Sequence, residues 1–120
     1  MTLAGTRVLV VEDEAIVAML IEDFLVELGC KVAASAARLD AALEQAHMQG
    51  IDVAVLDVNL AGQLSYPVAS VLRTRGIPFV FATGYPPSNL PPEMQSAPVL
   101  SKPFTLQQLA DALRVMKNSG

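Results

Sequence analysis

The sequence has no tryptophan, one cysteine and one histidine, and only 5% of its residues are aromatic. The lone Cys30 cannot form an internal disulfide, so the fold must rest on its core, and a reducing compartment is expected. No uninterrupted apolar stretch reaches the run of about 20 residues that spans a bilayer. Met1-Thr2-Leu3-Ala4-Gly5-Thr6-Arg7 lacks the charged start and apolar run of a signal peptide, and a cytoplasmic location is expected. A basic surplus is missing too. Eight Lys and Arg against twelve Asp and Glu leave a net charge of −4. That balance argues against direct nucleic-acid binding, which needs basic patches to neutralise phosphates.

What is abundant is Ala, Val and Leu. Apolar residues make up 52% of the 120 positions, enough for one domain over residues 1–120 with a single core. Four apolar runs each end in a polar residue. Val8-Leu9-Val10-Val11 leads to Glu12-Asp13, and Val53-Ala54-Val55-Leu56 leads to Asp57. Phe79-Val80-Phe81-Ala82 leads to Thr83, and Val99-Leu100-Ser101 leads to Lys102-Pro103. Continuous apolar runs of this length read as strands buried on both faces, the habit of parallel sheets covered by helices.

Helical patterns alternate with these strands. Ile16, Leu20, Phe24 and Leu28 recur every four residues beside Val17, Ile21 and Leu25, which predicts a helix over 15–28 stopped by Gly29. A short strand is expected near Lys31 to Ala34, then a helix capped by Ser35 and running to Gly50. Ser65-Tyr66-Pro67 opens a third helix, the fourth strand is expected over 77–82, and Thr105 with Gln108 forms a capping box for the last helix. Five of the eight prolines fall between Pro86 and Pro98, so a helix before the last strand should be absent or cut to one turn. Right-handed crossovers then favour a flavodoxin-like α/β fold, a doubly wound five-stranded parallel sheet in the order 2-1-3-4-5.

In such a sheet all strands end at one edge, where open α/β sheets bind ligands. Alone, Glu12-Asp13-Glu14 would read as solvated charges in the first turn of a helix. Asp57 at an adjacent strand end changes that weighting. Each pair of like charges at ~4 Å costs on the order of 4 kcal/mol at an effective dielectric near 20, which calls for a counter-cation. Mg²⁺ suits three carboxylates, because it keeps waters and leaves room for phosphate oxygens. Thr83 and Lys102 add a hydroxyl and a compact positive charge for a phosphoryl group.

Val-Val-Glu-Asp-Glu, Leu-Asp-Val-Asn-Leu, Phe-Ala-Thr-Gly-Tyr and Leu-Ser-Lys-Pro-Phe, in this order, closely resemble the receiver domain of bacterial response regulators in two-component systems. The resemblance covers roughly Thr6 to Lys117, leaving short flexible tails at 1–5 and 118–120 as an expectation. It implies that Asp57 is the phosphoacceptor. It also implies that Asp13, Asp57 and the Asn59 carbonyl bind Mg²⁺, with Glu12 assisting through water. Thr83 and Lys102 would contact the phosphoryl group, and the Lys102-Pro103 bond is expected to be cis. The donor would be a histidine kinase or a histidine phosphotransfer protein, docking near Ala15 and Met19. Met19 and Val26, seven apart, share a stripe of the first helix away from its main core face and are otherwise expected to pack in the core.

Three departures stand out. Val99 occupies the place of the usual aromatic switch residue, and Gly84-Tyr85-Pro86-Pro87 follows the threonine. Phe81-Ala82-Thr83-Gly84-Tyr85 resembles the FATGUY receivers, often stand-alone proteins, in which Tyr85 would take over the missing aromatic's role. Ala61 replaces a usual proline, an exchange expected to alter only a turn.

Other readings fit less well. A flavodoxin-like FMN electron carrier needs a Ser/Thr/Gly-rich phosphate loop where Glu12-Asp13-Glu14 stands. A dehalogenase-like phosphatase needs a second acid where Asp57-Val58-Asn59 has none, and an unphosphorylated pseudo-receiver would not keep all five site residues. His47 and Cys30 are expected to be a solvated surface residue and a half-buried filler.

Overall fold

Five apolar segments pair into one sheet. The computed structural model describes residues 3–84, 92–94 and 97–119. The strands are β1 (Arg7–Val11), β2 (Lys31–Ala36), β3 (Val53–Asp57), two short strands β4 (Asn59–Leu60) and β5 (Gln63–Leu64), β6 (Phe79–Thr83) and β7 (Val99–Ser101). The helices are α1 (Ala15–Glu27), α2 (Leu39–Gln45), α3 (Tyr66–Thr74) and α4 (Leu106–Ser119). The main sheet runs β2-β1-β3-β6-β7, all parallel, which is the expected order among its five strands. β4 and β5 form a separate antiparallel hairpin.

The sheet has a core on each face because side chains alternate along a strand. Val8, Val10, Val53, Val55 and Val80 face α1 and α4, meeting Ile21, Leu25, Leu109 and Leu113. Leu9, Ala54, Leu56 and Phe81 face the other way, onto Ala42 of α2 and Val68 and Leu72 of α3. Packing starts before the expected boundary at Thr6, since Leu3 is buried in the first cluster and Gly5 N–H donates to Gly29 O at 2.8 Å. No helix among the described residues is long and apolar enough to cross a membrane.

Several local expectations give way to tertiary pairing. Ser35 is not a helix cap; β2 continues through Ala36, which pairs with Val11, and α2 opens after Arg38. A sheet ladder replaces the local cap because it satisfies the backbone more fully. β6 starts at Phe79 rather than Ile77, consistent with Pro78 having no N–H to give a ladder. On α1 the buried pair is Ile21 and Leu25, while Ile16 and Leu20 are 83% and 43% exposed. Met19 and Val26, expected in the core, are exposed as well. At about 3.6 residues per turn they lie across the helix from the buried stripe. Cys30 is buried and His47 is exposed.

Two terminations follow the sequence directly. Gly29 takes φ 83 at the end of α1, where Cys30 N–H reaches back to Leu25 O at 2.9 Å. Before α4 the capping box closes reciprocally. Thr105 N–H donates to Gln108 Oε1 at 2.9 Å, and Gln108 N–H donates to Thr105 Oγ1 at 3.1 Å. Thr105→Ala is expected to cost about 1 kcal/mol, read as a Tm lower by a few degrees. Between β6 and β7 the described residues contain one 3₁₀ turn, Pro92–Met94, whose Met94 side chain plugs the second core. Tyr85, proposed from the sequence as a switch residue, lies outside the described residues.

Candidate functional site

The parallel registers bring the polar strand ends together. Val11 pairs with Leu56, Asp57 with Ala82, and Thr83 with Ser101. Residues just past β1, at the end of β3, at the end of β6 and just past β7 therefore share one edge. Thr83 O accepts the Lys102 N–H at 2.8 Å, which ties the last two strand ends to each other.

Glu12, Asp13 and Asp57 each offer a carboxylate oxygen, and these lie within 4.8 Å of one another. Lys102 sits between two of them, with Nζ 2.5 Å from Glu12 Oε1 and 3.2 Å from Asp57 Oδ2. Glu12 and Asp57 are only 2% and 7% exposed, and the Lys102 ammonium is the cation that balances their charge. Glu14 N–H donates to Glu12 Oε2 at 3.1 Å and Asn59 N–H to Asp57 Oδ1 at 3.3 Å. Thr83 is buried beside them, and Pro103 follows Lys102 through a cis bond, as expected. The group opens into a cleft of about 580 Å³ whose polar wall is Asp13, Asp57, Thr83 and Lys102 and whose apolar wall includes Val17 and Leu20.

Burial pushes the Asp57 carboxyl up to about 7, and the hydrogen bond and charge of Glu12 add to it against the pull of Lys102. Burial would raise Asp13 as well, but hydrogen bonds with Asp57 and from the Ala61 N–H outweigh it and hold Asp13 below the usual carboxylate range. Burial alone would lower Lys102, yet its bonds and charges with Glu12 and Asp57 raise it. An acid that burial keeps from ionising, beside one that its hydrogen bonds hold ionised, is the pattern of a functional site.

Other sequence-predicted residues fall around this centre. Ala15 and Met19 are exposed on α1. Val99 opens β7 opposite Phe81 and packs half-buried against the second core, an aliphatic wall with no ring to rotate. Asn59 does not turn its side chain to the acids; its Oδ1 accepts the Gly62 N–H at 2.7 Å. Sequence reasoning missed Ala61, expected to alter only a turn. Its N–H donates to Asp13 Oδ2 at 3.1 Å. The departure from proline at that place was the available signal.

Residues 8–114 match the family model of the response regulator receiver domain. No curated protein sequence matches. Among solved structures, SdrG from Sphingomonas melonis Fr1 is 43% identical, with a TM-score of 0.84 over 97% of this chain and 98% of that one. SdrG from Pseudomonas melonis Fr1 in its BeF₃-activated conformation is also 43% identical, with a TM-score of 0.80 over 95% and 98%. A response regulator receiver protein from Sinorhizobium medicae WSM419 is 28% identical, TM-score 0.81, over 98% of each chain. The response regulator PhyR from Brucella abortus is 26% identical, TM-score 0.84, over 98% of this chain but 50% of that one. With its parallel sheet, its acidic pocket and this match over most of its length, the chain belongs to the response regulator receiver domain family, a signalling module of two-component systems and not a classical enzyme.

Proposed function

We propose that this receiver accepts a phosphoryl group on Asp57 in a Mg²⁺-dependent reaction and changes conformation to engage a partner. The observation that carries it is the meeting of three carboxylates within 4.8 Å beside Lys102 and Thr83. The BeF₃-activated form of SdrG supports the same reading, since that group mimics an acyl phosphate.

Glu12, Asp13 and Asp57, with the Asn59 backbone, would hold the cation. Bound there, Mg²⁺ would offset the crowded carboxylates and the charge of the phosphoryl oxygens. Asp57 would attack phosphorus through a carboxylate oxygen. The new O–P bond forms as the P–N bond of a phosphohistidine donor breaks, and the leaving imidazole takes its proton from water. Lys102 would shift its ammonium from the carboxylates toward the phosphoryl oxygens, and the Thr83 hydroxyl would donate to them. The donor would be a histidine kinase or a histidine phosphotransfer protein. Ala15 and Met19, exposed on the helix whose Val17 and Leu20 line the cleft, are its proposed docking surface.

Incubation with acetyl phosphate and Mg²⁺ tests this directly. Intact-mass analysis should show one phosphoryl adduct, hydroxylamine should remove it, and a metal chelator should prevent it. An adduct mapped to a peptide without Asp57 would overturn the assignment. Asp13→Asn is expected to weaken Mg²⁺ binding at least about 10-fold, because one charged ligand becomes neutral. An undiminished Mg²⁺-induced rise in Tm in that variant would remove Asp13 from the ligand set.

A further inference from the structure

The hairpin that follows Asp57 closes in a two-residue turn with an alanine where Asn, Asp or Gly is usual. Its corner residues, Ala61 and Gly62, have φ 52 and φ 90, both in the left-handed region. Glycine is at home there, whereas the Cβ of alanine crowds a carbonyl oxygen. Outliers of this kind persist where the surroundings hold them, and they gather at functional sites. Here the two-residue loop of the β4–β5 hairpin, whose favoured turn puts both residues at positive φ, sets the conformation, and the acids meet it. Ala61 N–H donates to Asp13 Oδ2 across 48 positions of sequence, Gly62 N–H secures the Asn59 side chain, and Asn59 N–H donates to Asp57 Oδ1.

We infer that the β4–β5 hairpin is a positioning clamp for Asp13, acting through the Ala61 backbone N–H. One Asp13 oxygen is held at 3.1 Å, so the orientation of the carboxylate toward Glu12 and Asp57 is set before a cation arrives. The same hairpin carries Asn59, so the Asp13 and Asp57 sides of the cleft are joined by a single short turn. Ala61 is thus a positioning residue. Proline has no N–H, and its φ near about −65° is incompatible with the φ 52 of Ala61, so it could neither form this turn nor serve this role. Glycine could, because it keeps the N–H and accepts the conformation. This inference rests on the proposed Mg²⁺ site.

Calorimetric Mg²⁺ titration of four proteins tests it: wild type, Ala61→Gly, Ala61→Pro, and a protein whose Ala61 amide is replaced by a backbone ester. The ester removes the N–H and leaves the side chain in place. About 10-fold weaker binding is expected for the ester and for Ala61→Pro, while Ala61→Gly binds like the wild type. Equal affinity in the ester protein overturns the clamp while leaving the metal site standing. A wild type that binds no Mg²⁺ overturns the metal site and the clamp together. Amide exchange by NMR needs no variant that must survive a backbone change. The Ala61 amide should exchange slowly in wild type and faster in Asp13→Ala, which has no side-chain oxygen to accept its N–H, and equal rates in the two would overturn the clamp.

Discussion

Asp57→Asn is expected to take up no phosphoryl label and, without metal, to be more stable than the wild type at alkaline pH. The loss of label follows from the position of Asp57 as the acid closing the central strand, between Lys102 and the open cleft. The stability effect follows from its ionisation. The folded carboxyl titrates at about 7, above the ordinary value of about 3.9 in an unfolded chain. Between those pH values the folded state holds more protons than the unfolded state. Wild-type stability therefore falls as pH rises through this window. The slope cannot exceed about 1.4 kcal/mol per pH unit for one proton. The neighbouring cleft is open to water and screens the charge, so a total loss of about 1–2 kcal/mol between pH 5 and pH 8 is expected. Asn cannot ionise, and the variant should lose this slope. Intact-mass labelling and chelator-treated urea melts at the two pH values measure both effects. A labelled variant, or a wild type with equal stability at both values, would contradict the assignment.

Removing the other charge should act in the opposite direction. Lys102→Ala leaves Glu12 and Asp57 facing each other without an ammonium, while both remain almost wholly buried. Breaking a buried pair by deleting one partner costs about 3–5 kcal/mol. The lower end, about 3 kcal/mol, is expected at pH 8 because the cleft side admits water. The deficit should shrink toward pH 5, where Asp57 is protonated and the repulsion is removed. Mg²⁺ should restore part of the loss by supplying the missing positive charge. Melts at both pH values with and without Mg²⁺ would show this pattern. A variant as stable as the wild type at pH 8 would mean that Lys102 does not balance these acids.

Much of the site could be read from one dimension. Each apolar run made a strand, and in parallel strands the residue after the last apolar position must lie at a common edge. Glu12, Asp13, Asp57, Thr83 and Lys102 were recognisable for that reason, and the Thr105 cap was recognisable because its partners are three residues apart. Signals that act within a few residues suffice for such features.

The failures have a different origin. Periodicity on α1 marked too wide an apolar face, because Ile16 and Leu20 are left exposed on the side away from the sheet. Ser35 carried a capping signal, but pairing with β1 claimed its backbone for the ladder. Ala61 carried only the signal of not being proline, since its contribution is a backbone N–H that every other residue possesses. What the sequence by itself determined was the order of elements and which polar residues stand at the strand ends, because alternation and composition are local. Tertiary structure alone decided which apolar faces were covered, how far β2 extended, and that Ala61 N–H meets Asp13. Each of those depends on a partner tens of residues away, whose approach is set by register and packing.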